Sequence, residues 1–335
     1  MVTVKDVAKL AGVSVATVSR VINDSDSVRG LTKDKVTRAM KELDYYPNNL
    51  AKNFSTQSTK RIALVVDVMN ADAFANPYFF QVQFGIEKYL AEKGYSLSIY
   101  NKSSAFDKNK MLEKLLFERQ VDGLIFHSIL LDEEALLLLE KSTLPYISLG
   151  EIQGDINWVD VDNFQAGYLA LKALLDDHHK NVCVLYNSET NLFEKNRIRG
   201  IKKICDEQSK FMETRFLQYS ERELADLIVL VNSIIDEGNS IDGFIALDNK
   251  MAIALERVIQ KKGYRIPEDI GLVTFDKYPV VDFSIPKMTT VDIDVMTLGK
   301  NIGMVLLENI ESKSKAITKL KLSVELSRRE TTRNR

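Results

Sequence analysis

VTVKDVAKLAGVSVATVSRVIND, residues 2–24, contains two helix starts and a helix stop in close succession. Thr3 can cap a helix, and Asp6, three residues on, can return a bond to the cap backbone. Val4, Val7, Ala8 and Ala11 fall at helical spacing, and at Gly12 a positive φ is cheap, so the first helix should stop there. Ser14 then caps a second helix, expected from Val15 to Asn23. Two short helices joined by a turn containing glycine form a helix-turn-helix. In the second, Val18, Val21 and Ile22 point inward, leaving small or polar residues outward, where they can enter the major groove of DNA.

A third helix, about Lys33 to Leu43 after Thr32, should pack Val36, Met40 and Leu43 against the first two. Pro47 bars its continuation. Residues 49–55 can form one or two helical turns, and Ser55 to Lys60 is polar, so 47–60 reads as a hinge helix and linker after a head of residues 1–46. A helix that short is marginal in water and forms only when something packs against it. Charge divides at the same place. Residues 1–60 carry 10 Lys and Arg against 6 Asp and Glu, whereas the remainder carries 35 against 41. A basic module on an acidic body suits a phosphate-binding head joined to a sensor.

Beyond Lys60, β-branched runs alternate with helix-length stretches. Strands are expected at Ile62 to Val68, Leu97 to Tyr100, Gly123 to Phe126 and Pro145 to Leu149, with helices such as Tyr78 to Lys93 and Lys108 to Arg119 between them. A second series follows at Val182 to Tyr186, Thr214 to Leu217, Gly243 to Leu247 and Gly271 to Phe275. Such alternation implies two doubly wound parallel sheets covered by helices, a periplasmic-binding-protein-like α/β body. Its subdomains should span about 61–161 and 163–290, with the C-terminal segment crossing between them. Two facing units of this kind make a cleft beyond the carboxyl ends of their strands.

The opening stretch, its continuation LDYYPNNLAKNF at 43–54, and the body down to the terminal SRRETT resemble the LacI/GalR family of transcription regulators. The resemblance implies a DNA-binding repressor that responds to a small molecule. It gives Val15, Ala16 and Arg20 base-reading positions and assigns phosphate contacts to Ser14, Thr17, Ser19 and Asn23. Arg20 is the strongest reader, since a guanidinium can bond guanine O6 and N7 together; the alternative is a surface arginine touching phosphate alone. Val15 and Ala16 offer only apolar contacts. In the hinge, Asn49, Ala51 and Phe54 match DNA-contacting positions. Phe54 replaces the family's usual leucine wedge and can insert between base steps, or else pack back on the protein. Val28 to Leu31 holds one residue more than the family pattern.

In the body, NPYFF at 76–80 resembles the motif bordering the effector, and Tyr78 and Phe79 are candidates for stacking on a sugar ring or, alternatively, ordinary core residues. Arg197 in RIRG matches the effector-clamping arginine, Asp276 in VTFDKYP the effector-binding aspartate, and Asp248 in ALDNKMA a position usually held by Asn. Ser128 and Tyr219 complete the implied effector set. Two carboxylates and one arginine favour a polyhydroxylated ligand over an anion. Asp162 and Asn163, in VDVDNFQAG, match a segment crossing between subdomains and read as structural, as does the lone Trp158. ADAFANPYFF, NLFEKNRIRGIKK and the run from TFDKYP to VDIDVMTLGK look most like maltose-operon regulators of Gram-positive bacteria, so maltose or a related α-glucoside is the favoured effector.

Other classes leave no trace. The three histidines, His127, His178 and His179, have no metal spacing, and neither a Walker loop, a G-x-S-x-G elbow nor a dinucleotide glycine triplet occurs. No enzyme activity, cofactor or metal is expected. His178 and His179 read as a solvated turn. Cys183 and Cys205 form no framework and suit a reducing cytoplasm. No apolar run is long enough to span a membrane, and a transport-type sugar-binding protein would need an export signal and no head. Operator symmetry implies a homodimer. The polar end after Glu325 lacks heptads, so no tetramer-forming tail is expected. A global regulator answering to a partner protein is the alternative within the same class.

Overall fold

The computed structural model describes residues 2–22, 27–45, 58–66, 77–102, 108–188, 190–208, 212–219, 224–236, 241–312 and 316–333. It divides into two units, residues 1–60 and 61–335.

In the first unit α1 spans Val4–Ala11, α2 Val15–Ile22 and α3 Gly30–Glu42. The backbone N–H and hydroxyl of Thr3 both donate to Asp6 Oδ2, at 2.8 and 2.7 Å, and Gly12 closes α1 with φ 66°. The Ser14 hydroxyl accepts the Thr17 N–H at 3.1 Å, which starts α2. Val7, Ala8, Val18, Val36 and Ala39 form the small core. α3 begins three residues before the expected Lys33. The carbonyl of Arg29, in extended backbone, accepts the N–H groups of Thr32 and Lys33, so the start needs no side-chain cap.

The second unit holds two six-stranded sheets. In the first lobe β1 is Arg61–Val66, β2 Ser96–Asn101, β3 Gly123–His127, β4 Tyr146–Leu149 and β5 Trp158–Val161. In the second, β6 is Asn181–Tyr186, β7 Glu213–Gln218, β8 Gly243–Ala246, β9 Gly271–Phe275 and β10 Thr289–Asp292. Two late strands, β11 (Lys319–Leu322) and β12 (Glu325–Ser327), join opposite lobes. The orders are β11-β5-β4-β3-β1-β2 and β12-β10-β9-β8-β6-β7, the same winding twice. Strands pair in parallel except β12, which is antiparallel to β10. β1 is flanked by both β2 and β3, with Ile62 opposite Leu97 and Gly123, so each sheet reverses its winding there and leaves a crevice at its carboxyl edge.

Helices α4 (Pro77–Glu92), α5 (Lys108–Phe117) and α6 (Glu133–Lys141) belong to the first lobe; α7 (Asn163–Asp176), α8 (Leu192–Gln208), α9 (Leu224–Asp236), α10 (Asn249–Lys261) and the short α11 (Pro279–Asp282) belong to the second. α12 (Val295–Glu311) returns to pack on α4 and on β3 to β5. The chain therefore passes between lobes at 161–163, 292–295 and 322–325. The first-lobe core runs from Ile62 and Leu64 through Ile86 and Leu90 to Leu298 and Ile302. Among the described residues no helix is long and apolar enough to cross a membrane.

His179 corrects the expectation of a solvated turn, being only 4% exposed. Its ring lies over Gly271, where a Cβ would sit 2.6 Å from the imidazole. Cys183 lies buried in β6 and Cys205 half-buried in α8, and both are free.

Candidate functional site

On α2 the residues exposed together are Val15, Ala16, Ser19 and Arg20, while Val18 is fully buried. Positions i, i+1, i+4 and i+5 share one helical face, so a single apolar anchor turns this row outward. Ser14 and Thr17 bond to each other at 2.9 Å at the helix start. Asn23 and the hinge candidates Asn49, Ala51 and Phe54 lie outside the described residues, as does Asn76.

In the body, strand ends collect the remaining candidates. Arg197, on α8, is 6% exposed and stacks on the Phe275 ring, 4.1 Å from its centroid. Its Nε donates to Asn163 Oδ1 at 3.1 Å and its Nη1 to the Leu247 carbonyl at 3.3 Å. Nη2 has no hydrogen-bond partner among the described residues. The guanidinium is thus fixed on two edges with one donor group left over. Asn163 in turn donates to Asp160 Oδ1 at 3.2 Å, and Asp160 Oδ2 accepts the Glu151 N–H at 2.9 Å. Glu151 takes the Lys321 ammonium at 2.9 Å and the Asn196 amide at 3.1 Å. Since Asn196 and Arg197 are consecutive, these bonds close a ring that crosses from one lobe to the other and back.

Asp276 follows β9 at φ 66°, a conformation that aspartate tolerates better than most residues and that marks functional turns. Its Oδ1 is buried without a partner among the described residues. Burial holds this carboxyl above its ordinary range and Asp292 pushes the same way, against the pull of Arg197. Asp160 is likewise raised by burial, opposed by the N–H groups of Glu151 and Val161 and by Arg197. Tyr78, half-buried at the start of α4, has its phenol raised by burial and by the charges of Asp160 and Asp276. The charge of Asp276, from the second lobe, is thus felt at this first-lobe phenol. Phe79 is half-buried against the first-lobe core. Ser128, just past β3, lies where a Cβ on Gly150 would approach its hydroxyl to 2.6 Å.

Asp248 is at the same edge but already engaged. Its Oδ1 caps α10 through the Met251 N–H at 2.8 Å and its Oδ2 accepts the Asn187 amide at 2.7 Å. Tyr219 is 9% exposed and its ring packs in the cluster of Leu227, Val231 and Met251. Trp158 begins β5, at the end of the strand away from the cleft, and is buried beneath the Lys321 ammonium. Sequence reading missed Asp160, Asn163 and Tyr278 as members of the cleft. Only Asn163 carried a signal, as part of a crossing segment.

Burial pushes His127, beside Ser128, down to about 4, and lowers His179 as well. Both stay neutral in the folded chain where an unfolded histidine, at about 6.5, binds a proton. Their contribution to stability is whole above pH 6.5 and is lost as pH falls below it, for His127 down to about 4 at up to about 1.4 kcal/mol per pH unit. The raised carboxyls work in the opposite sense, taking up protons before the unfolded chain does. A His127→Asn variant isolates the histidine contribution. By chemical denaturation at pH 7 and pH 5 it should lose less stability on acidification than the wild type, and equal losses would exclude this role.

The model of bacterial regulatory proteins of the lacI family matches residues 3–48, and a periplasmic binding protein-like domain matches residues 171–332. The transcriptional repressor PurR of Mannheimia succiniciproducens is 32% identical over 316 residues, 93% of each chain. The transcriptional regulator CelR of Thermobifida fusca is 28% identical over 332 residues, 98% of this chain and 97% of its own. Among solved structures, a CelR–cellobiose complex is similar at TM-score 0.71 and 27% identity, covering 99% of this chain and 100% of that one. A lac repressor dimer bound to operator and an anti-inducer shares the fold at TM-score 0.83 and 24% identity, over 99% of each. These relatives regulate transcription and are not enzymes. With a helix-turn-helix head, a twice-wound two-lobed body and relatives aligned along nearly its whole length, the chain belongs to the LacI family of DNA-binding transcriptional regulators.

Proposed function

We propose that the protein is a homodimeric repressor, released from a pseudo-palindromic operator when a neutral sugar enters the interlobe cleft. The observation that carries the sugar reading is the charge balance of the cleft. One guanidinium faces two carboxylates, Asp160 and Asp276, both raised by burial. Such a site repels a phosphate or carboxylate ligand and suits hydroxyl groups, which donate to carboxylates and accept from guanidinium. Relatives solved with cellobiose and with ribose agree with this chemistry. Maltose or a related α-glucoside is the effector that the sequence resemblance favours. A thermal-shift panel of maltose, cellobiose, ribose and a phosphosugar tests it. A neutral sugar should raise Tm and weaken operator binding in a mobility-shift titration. A response to the phosphosugar alone, or tighter operator binding with sugar, would overturn the reading.

On the DNA side, Arg20 is the one long donor in the exposed row of α2. Arg20→Ala should weaken operator binding about 10- to 100-fold and relax the preference at one base pair, because a bidentate guanine contact discriminates by about 1–3 kcal/mol. A uniform loss on all sequences would make Arg20 a phosphate contact.

A further inference from the structure

Tyr278 stands two residues beyond Asp276 in a fixed turn. Its N–H donates to the Asp276 carbonyl at 3.0 Å, and Pro279 begins α11 immediately after it. The side chain is 6% exposed, yet its hydroxyl has no hydrogen-bond partner among the described residues. The same holds for Oδ1 of Asp276. Two polar atoms at one strand end have thus given up water without a replacement, an arrangement that folding alone disfavours. The phenol is raised by burial and by the charges of Asp276 and Tyr78, against the pull of Arg197.

We propose that Tyr278 and Asp276 together read one hydroxyl of the bound sugar, the phenol donating to its oxygen and the carboxylate accepting from it. This role rests on the sugar-binding reading. An ionised carboxylate only accepts, so the sugar oxygen must carry a proton, while its lone pair takes the phenol O–H. A deoxy position leaves both protein groups unpaired and an ether leaves the carboxylate unpaired. Sites built to bond a hydroxyl reject analogues lacking it far more strongly than apolar pockets reject a missing methylene. Tyr278 is then a specificity-determining residue, and a phenylalanine there would keep the shape of the site without the selection.

Calorimetric titration of the full chain and of Tyr278→Phe tests this, with maltose, cellobiose and ribose, followed by the monodeoxy derivatives of the tightest binder. The variant should bind the parent sugar about 10- to 100-fold more weakly. One deoxy derivative should bind the wild type poorly and lose little more in the variant. Without sugar the variant should melt at or above the wild-type temperature, since it sheds an unpaired buried hydroxyl. Parent sugar bound equally by both chains, a constant further loss for every derivative, or a less stable sugar-free variant would overturn the role. A wild type that binds none of the three sugars overturns the sugar reading itself, and this role with it.

Discussion

Alanine in place of Gly200 should lower the stability of the body by about 3 kcal/mol or more and its melting temperature by roughly 10 °C. Gly200 lies on α8 where that helix crosses α7, and a Cβ there would fall on the carbonyl oxygen of Phe164 and 2.8 Å from the Tyr168 nitrogen. A Cβ on Gly167, in α7, would likewise fall on the carbonyl of Arg197. Those neighbours are backbone atoms, so no rotamer change relieves them and the helices must separate. Separation loosens the packing of Ala166, Ala170, Ile201 and Ile204, which are buried together in one core cluster. The first lobe repeats the arrangement at Gly85 and Gly299, where α4 meets α12. Gly30→Ala, at the first residue of α3 in the head, is the control for the substitution itself, since a Cβ there meets nothing within 4 Å. Thermal unfolding of the body should therefore shift in Gly200→Ala and not in Gly30→Ala. A Gly200→Ala chain that melts with the wild type would mean that the two helices do not approach so closely.

The head was the most legible part of the sequence, because its signals are local. Thr3 with Asp6, Gly12 and Ser14 each act within four residues, and the helices they bound fall where the pattern puts them. The start of α3 escaped because a backbone carbonyl, common to every residue type, does the capping. The apolar, β-branched runs of the body mark eight strands, whereas β5, β10, β11 and β12 lie in mixed polar segments and owe their existence to distant partners, as Lys319 does to Trp158. Cleft residues divide in the same way. Arg197 and Asp276 were found through the family motif that surrounds them. Asn163 matters because it joins Asp160 to Arg197, and neither bond has a sequence signature. The short polar segment after Leu247 marks Asp248 as a strand-end residue, but only the fold reveals that its carboxylate is spent on a cap and on Asn187.

Arg197→Ala should abolish the sugar response, with affinity falling by about two orders of magnitude or more while operator binding persists. Hydrogen bonds to charged groups contribute about 1.5–3 kcal/mol each, and the loss reaches beyond the ligand contact. Without the guanidinium, Asn163 Oδ1 and the Leu247 carbonyl lose their donor, and Asp160 and Asp276 lose the cation that lowers them. Both carboxyls should then titrate still higher, which NMR titration of the labelled side chains would detect. Arg197→Lys separates charge from shape. It restores the cation, so the carboxyls should return towards their wild-type values, but an ammonium cannot hold Asn163 and Leu247 while offering a further planar donor. Sugar binding should therefore stay weak in the lysine variant. If lysine restored binding fully, the guanidinium would be acting as a point charge, and the ring through Asn163, Asp160, Glu151 and Asn196 would have no part in holding it. If binding stays weak, the same ring gives the sugar a route to the lobe arrangement: whatever bonds the free Nη2 also bears on the crossing at Asn163, and a ligand shifts the equilibrium only through such differential contacts.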